Sequence, residues 1–193
     1  MCRTHFFING SPLPVVNSSR DLGITITSTL LFADHITNIV AKAHQRANMI
    51  HRCFVSRNTT LLVRAFVTSV RPLLEYNSVT WSSHHKGDTL SIEQAQRRFT
   101  KRLHGLRKLS CGERLSVLNL QSLELRRLHC DLICCYKILL GLVFVNSCEF
   151  FKLSVTNTRC HHYKLYKQRS YHSARLYLFS ERISVSGTIY MAI

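Results

Sequence analysis

Two rhythms divide this chain. Between Phe6 and Thr27 the apolar residues fall in short aromatic or β-branched clusters; from Asp34 onward they recur at three- and four-residue intervals. Phe6-Phe7-Ile8 is followed by Asn9-Gly10, a strong hairpin-turn signal, and then by Leu13 and Val15-Val16. Pro12 and Pro14 remove two amide donors from the second strand and assign it to an edge. Asp21-Leu-Gly-Ile-Thr-Ile-Thr27 reads as one further strand, rich in β-branched residues. A three-strand ribbon of this size buries no face alone and needs helices against it.

The longer rhythm predicts helices. Asp34 is the expected cap of the first, with Ile36, Ile39, Val40, Ala43, Ala47, Ile50 and Phe54 on its inner face. Asn58 opens a second, with Leu61, Leu62, Ala65, Phe66 and Val70 inward, until Pro72 breaks or kinks it. A polar, histidine-rich loop from Ser82 to Gly87 leads to a third helix that Gly105 ends. In this helix Ile92, Ala95, Phe99 and Leu103 take the docking face, while Arg97, Arg98, Lys101 and Arg102 form a contiguous basic stripe. Cys111 to Leu118 reads as a short helix. The last runs from about Ser122 to Leu140, with Leu125, Leu128, Leu132, Cys135 and Leu139 inward and Gly141 as its stop. Beyond Gly141 the pattern weakens: 159–175 is basic and aromatic without periodicity, and the last ten residues are atypical of the rest. The expected fold is mainly α: a helical bundle over 31–141, a small antiparallel β ribbon over 1–30 before it, and an irregular basic tail over 142–193.

Charge narrows the function. Lys and Arg number 26 against 10 Asp and Glu, a net +16, and eleven histidines add charge as pH falls toward six. A surplus of this size attracts polyanions by counterion release, which makes nucleic acid the leading partner and an acidic membrane surface the weaker one. Apolar residues make up 46%, enough for a core. The N-terminus lacks the apolar run of a signal peptide. The longest apolar stretch, Ile138 to Val145, is far short of the ~20 residues of a membrane span. The expectation is an intracellular protein of nucleus or cytoplasm, without a membrane anchor, whose eight cysteines are thiols.

Several ordered signatures resemble the region that follows the palm in reverse transcriptases of non-LTR (LINE-type, Jockey-like) retrotransposons. They are Ile-Asn-Gly10 with Arg-Asp-Leu-Gly-Ile-Thr-Ile26, Val-Arg-Pro-Leu-Leu-Glu-Tyr76 with Trp81, and Gln96-Arg97-Arg98-Phe99-Thr100-Lys101. Gly-Leu-Arg-Lys-Leu-Ser110, Glu-Arg-Leu115, Leu123-Glu-Leu-Arg-Arg127, His-His-Tyr-Lys164 and Phe-Ser-Glu-Arg182 continue the run. No single motif is specific; the order, from Phe6 to Arg182, carries the resemblance. It implies that Leu22 and Gly23 occupy a primer-grip-like position and that the helices form a thumb-like region. The partners it implies are primer–template or RNA, together with the palm and fingers of the parent RNA-directed DNA polymerase. Two departures accompany it. The family's Tyr/Phe-x-Asp-Asp strand has no counterpart here. After the Glu-Arg element, Ile-Ser-Val-Ser-Gly-Thr-Ile-Tyr-Met-Ala-Ile193 stands where the family continues into Asn-x-Leu-Pro. Both departures suggest a transposable-element reading frame cut at each end.

Polymerase chemistry needs paired carboxylates holding two Mg²⁺ ions, and Asp21, Asp34, Asp88 and Asp131 are scattered singly. The expected protein is therefore non-catalytic, with no cofactor, and grips phosphates without reading bases. The candidate nucleic-acid contacts are Arg97, Arg98, Lys101 and Arg102, then Arg107 and Lys108, with Arg126 and Arg127 of the last helix. A solvated helix face is the plain alternative, although no acid interrupts the run from Arg97 to Lys108. Tyr76 and Trp81 either stack on bases or anchor the loop between helices. Cys130, Cys134 and Cys135 have no zinc-site spacing and read as buried thiols; Cys160, His161 and His162, with His172, are a weak metal-ligand set. Two other functional readings stand beside the first: a retroelement relic whose binding is charge alone, and a small zinc-dependent binding module.

Overall fold

Both N-terminal hairpins turn on two consecutive residues of positive φ, the geometry that lets a two-residue loop follow strand twist. The computed structural model describes residues 6–55, 57–83, 85–153, 165–166 and 178–186. In it β1 (Phe7–Ile8) pairs antiparallel with β2 (Ser11–Pro12) through Asn9 (φ 50°) and Gly10 (φ 78°), as the Asn-Gly signal predicts. β3 (Ser18–Asp21) pairs with β4 (Ile24–Thr27), Asp21 opposite Ile24, through Leu22 (φ 45°) and Gly23 (φ 88°). The expected single strand over Asp21–Thr27 is therefore folded back on itself, and the three-strand ribbon is two separate hairpins. Leucine hides the signal, because this turn position ordinarily carries Asn, Asp or Gly.

Ile24 of β4 is buried and Ile26 packs beside it, so the second hairpin joins the main core. Its anchor is α1 (Ala33–Cys53): the Thr25 amide donates to Nδ1 of buried His35 at 3.3 Å. That helix begins after Phe32, not at Asp34. The Asp34 carboxylate sits in the first turn and favours the helix dipole instead of capping an amide. Ile36, Ala43, Ala47 and Ile50 are buried as expected; Phe54, beyond the last turn, is exposed. α2 (Thr59–Ser69) starts where Asn58 Oδ1 accepts from the Leu61 amide at 3.2 Å. Leu62, Phe66 and Val70 face inward, whereas Leu61 faces solvent.

The break expected at Pro72 is present, since α2 ends just before it, and the proline itself opens the next helix. It lies in the first turn of α3 (Arg71–Glu75), where its missing amide costs nothing. Left-handed Asn77 (φ 49°) then redirects the chain into α4 (Ser78–Trp81). α5 (Lys86–Lys101) buries Ile92, Ala95 and Phe99, and ends four residues before Gly105. α6 (Cys111–Val117) opens with a capping box between Ser110 and Glu113. α7 (Leu123–Leu139) closes in a Schellman motif: Gly141 N–H donates to Ile138 O at 3.2 Å and Leu142 N–H to Lys137 O at 2.9 Å.

The inner face of α7 differs from the leucine stripe. Leu123, Arg127, Asp131, Cys135 and Ile138 are buried, and Leu125 and Leu128 are exposed. The rotation is explained by α9 (Phe179–Ser186), which follows the short α8 (Ser147–Phe150) in the expected tail. Arg182 of α9 donates to both Asp131 oxygens at 2.9 Å, and to the carbonyls of Val79 at 3.0 Å and Ser82 at 3.2 Å. Buried Ile183 joins Cys135, Ile138 and Phe151 in a second, smaller core. Part of the tail expected to be irregular is thus a helix docked on α7. Among the described residues no helix is long and apolar enough to cross a membrane.

Candidate nucleic-acid interface

The basic stripe of α5 does not face open solvent along its whole length. Arg98, Lys101 and Arg102, with Arg107 from the following loop, line a cleft of about 820 Å³ whose other wall is α1. α1 contributes His44, Asn48 and His51, spaced four and three residues apart on one side of the helix; His104 closes the loop side. The floor is Ala47, Ala95, Phe99 and Leu103. No acidic residue lines the cleft among the described residues.

Packing fixes several of these groups. Arg102 Nη1 donates to Asn48 Oδ1 at 2.6 Å, holding the guanidinium against the α1 wall. Because arginine only donates, this bond orients the Asn48 amide and leaves its NH₂ as a donor. The His51 ring packs on Phe99 at a centroid separation of 4.7 Å, and Phe99 stacks on Phe66 at 4.5 Å. His44 and His51 are half-buried, and burial is the main reason both titrate below the ordinary imidazole range. Arg98 pushes His44 further down, and Arg102 does the same to His51; a hydrogen bond with the Phe99 backbone partly offsets the latter. Burial and neighbouring guanidiniums therefore act in the same direction on both imidazoles, each disfavouring the charged form.

The remaining sequence candidates divide. Arg97 and Lys108 are exposed but lie outside the cleft lining. Arg126 is committed to a bidentate ion pair with Glu75: Nε contacts Oε1, and Nη2 donates to Oε2 at 3.0 Å. Arg127 is buried beside a separate cleft, its Nη1 without a hydrogen-bond partner, among the carboxylates of Glu93, Glu124, Asp131 and Glu75. Neither offers a free charge to a phosphate, so both leave the candidate interface. Glu124 and Asp131, three residues before and four after Arg127 on the same helix, were legible beside it in the sequence; the tertiary fold adds Glu93 and Glu75.

Trp81 is fully buried, its indole N–H donating to Tyr76 O at 2.7 Å and its ring meeting His35 at 5.5 Å. It anchors the fold and has no face for a base. Tyr76 is exposed, with its hydroxyl donating to Leu22 O at 3.2 Å across the second hairpin turn. A Cβ on Gly23 would sit 3.8 Å from the Tyr76 ring. Leu22, Gly23 and Tyr76 are therefore neighbours, and none of them lines the basic cleft.

Cys135 is buried in the second core, which pushes its thiol up to about 11, and burial raises Cys134 as well. Protonated thiols are poor metal ligands. Among the described residues no three His, Cys, Asp or Glu side chains converge on a metal-sized site. Cys160, His161, His162 and His172 lie outside the described residues. His44, Asn48, His51 and His104 are the residues that sequence reasoning missed. Their signal on α1 was polar spacing flanking the buried Ala43–Ala47–Ile50 stripe. No family model, curated protein or solved structure matches this chain.

Proposed function

We propose that this protein is a non-catalytic nucleic-acid-binding unit that holds a phosphate backbone in the cleft between α1 and α5, in the manner of a polymerase thumb. The observation that carries the reading is the convergence of Arg98, Lys101, Arg102 and Arg107 on one acid-free cleft. A solvated face ordinarily mixes signs. The resemblance to the post-palm region of LINE-type reverse transcriptases supports the same reading, with RNA as partner and the parent polymerase's palm as neighbour. No catalytic step is assigned to this chain.

A second reading is a retroelement relic that binds by net charge alone. Its support is the apolar surface of the first hairpin, where Phe6, Phe7 and Ile8 are 71%, 63% and 59% exposed among the described residues. Charge reversal separates the two. Arg98→Glu with Arg102→Glu and Arg97→Glu with Lys108→Glu change net charge equally, but only the first pair lines the cleft. The cleft reading expects the first pair to weaken RNA binding at least tenfold more than the second. Equal losses would leave only the +16 charge.

A further inference from the structure

The cleft's dimensions and lining say more than its charge. Resting on the phosphate-binding reading above, we infer that the cleft receives an unpaired strand, with one or two nucleotides inserted so that a base meets the imidazole wall while its phosphates meet the cationic rim. A volume of about 820 Å³ falls within the range of sites that enclose a small ligand. An unpaired strand frees its bases to meet the imidazoles while its phosphates meet the cations; a duplex keeps its bases stacked and paired.

The lining suits a nucleotide. Three imidazoles, His44, His51 and His104, share the cleft with the cations. Histidine and arginine planes are both platforms on which unstacked bases settle. Phe99 stacks on Phe66 at 4.5 Å and meets the His51 ring, tilted by 36°, at 4.7 Å, so an aromatic cluster of the core reaches the cleft at His51. Arg102 holds Asn48 by its oxygen, and the amide NH₂ remains to donate to an acceptor on a base edge or sugar. The apolar floor of Ala47, Ala95 and Leu103 receives the remainder. Ring, donor, apolar floor and cationic rim are what a single-strand groove combines.

The test uses the full chain and three probes of equal phosphate number: a single-stranded 24-mer, the same length without bases, and a 12-base-pair RNA–DNA hybrid. Anisotropy titrations at physiological salt should show the intact strand binding about tenfold or more tighter than the abasic strand, the scale of one stacked base. It should exceed the hybrid by a similar factor. His104→Ala, an exposed position that the fold tolerates, should narrow the gap between intact and abasic strands. Equal affinity for intact and abasic strands, or a hybrid bound as tightly as the single strand, would overturn the inference. Failure of the underlying phosphate reading has a different signature: binding of the abasic strand itself unaffected by Arg98→Gln with Lys101→Gln.

Discussion

Substituting Trp81 separates an anchoring tryptophan from a base-stacking one. The side chain is fully buried, donates to Tyr76 O at 2.7 Å and lies tilted against His35. Phenylalanine keeps an aromatic ring but removes the donor and leaves a void where the second ring stood. The orphaned carbonyl and the void together cost about 2 kcal/mol, and alanine, which removes both rings, costs about 4 kcal/mol. With a urea dependence of about 2 kcal/mol per molar, the unfolding midpoint falls by about 1 M for Trp81→Phe and about 2 M for Trp81→Ala. Far-UV circular dichroism reads these midpoints, since the substitution removes the chain's one tryptophan. In the unmodified protein that indole also reports binding, and its emission should stay constant on nucleic-acid titration. A Trp81→Phe protein as stable as the parent, but with weakened RNA binding, would refute the anchoring role.

Other expectations follow from the same geometry. Leu22→Asn, which suits a left-handed turn position, should raise stability by up to about 1 kcal/mol in urea unfolding; a loss would contradict the turn at Leu22-Gly23. Arg126→Gln breaks the Glu75 ion pair and should lower the unfolding midpoint while leaving the salt dependence of RNA binding unchanged. His35, His44 and His51 all titrate below the ordinary value of 6.5 in the folded chain. The unfolded chain therefore binds more protons in that window, and stability, full above pH 6.5, is lost as pH falls through the lowered values. Thermal unfolding from pH 8 to 5 checks this, and a flat profile contradicts it. Nucleic-acid affinity should run the opposite way and tighten as pH falls from 8 to 6, because a phosphate beside His44 and His51 favours their protonation; a constant dissociation constant removes these imidazoles from the interface.

Local rules announced much of this fold. Asn9-Gly10, the Asn58 cap, the Ser110–Glu113 box and the Gly141 stop are each set by a few neighbouring residues, and each appears in the structure. Where long-range partners decide, the pattern misled. The leucines of α7 mark one face, yet the helix buries Asp131, whose carboxylate is bonded by Arg182, 51 residues beyond it, and Arg127, whose charge meets Glu93 and Glu75 of earlier helices. Leu22 concealed a hairpin turn that the Tyr76 hydroxyl, 54 residues away, now braces. The candidate site shows the same division. The α5 stripe was legible from its spacing, but its opposite wall of His44, Asn48 and His51 comes from α1 and appears only when the helices pack. Arg126 left the interface for a similar reason, since Glu75 reaches it across 51 positions.

The central claim is that the α1–α5 cleft binds phosphates. Its most direct test is the salt dependence of binding to a single-stranded RNA between 50 and 200 mM, for the wild type and for R98Q/K101Q/R102Q/R107Q. Four contacts at about 0.7 each predict that the slope of log K against log salt becomes shallower by up to ~2.8 in the variant. A slope unchanged by all four substitutions, with the variant still folded, would contradict the account.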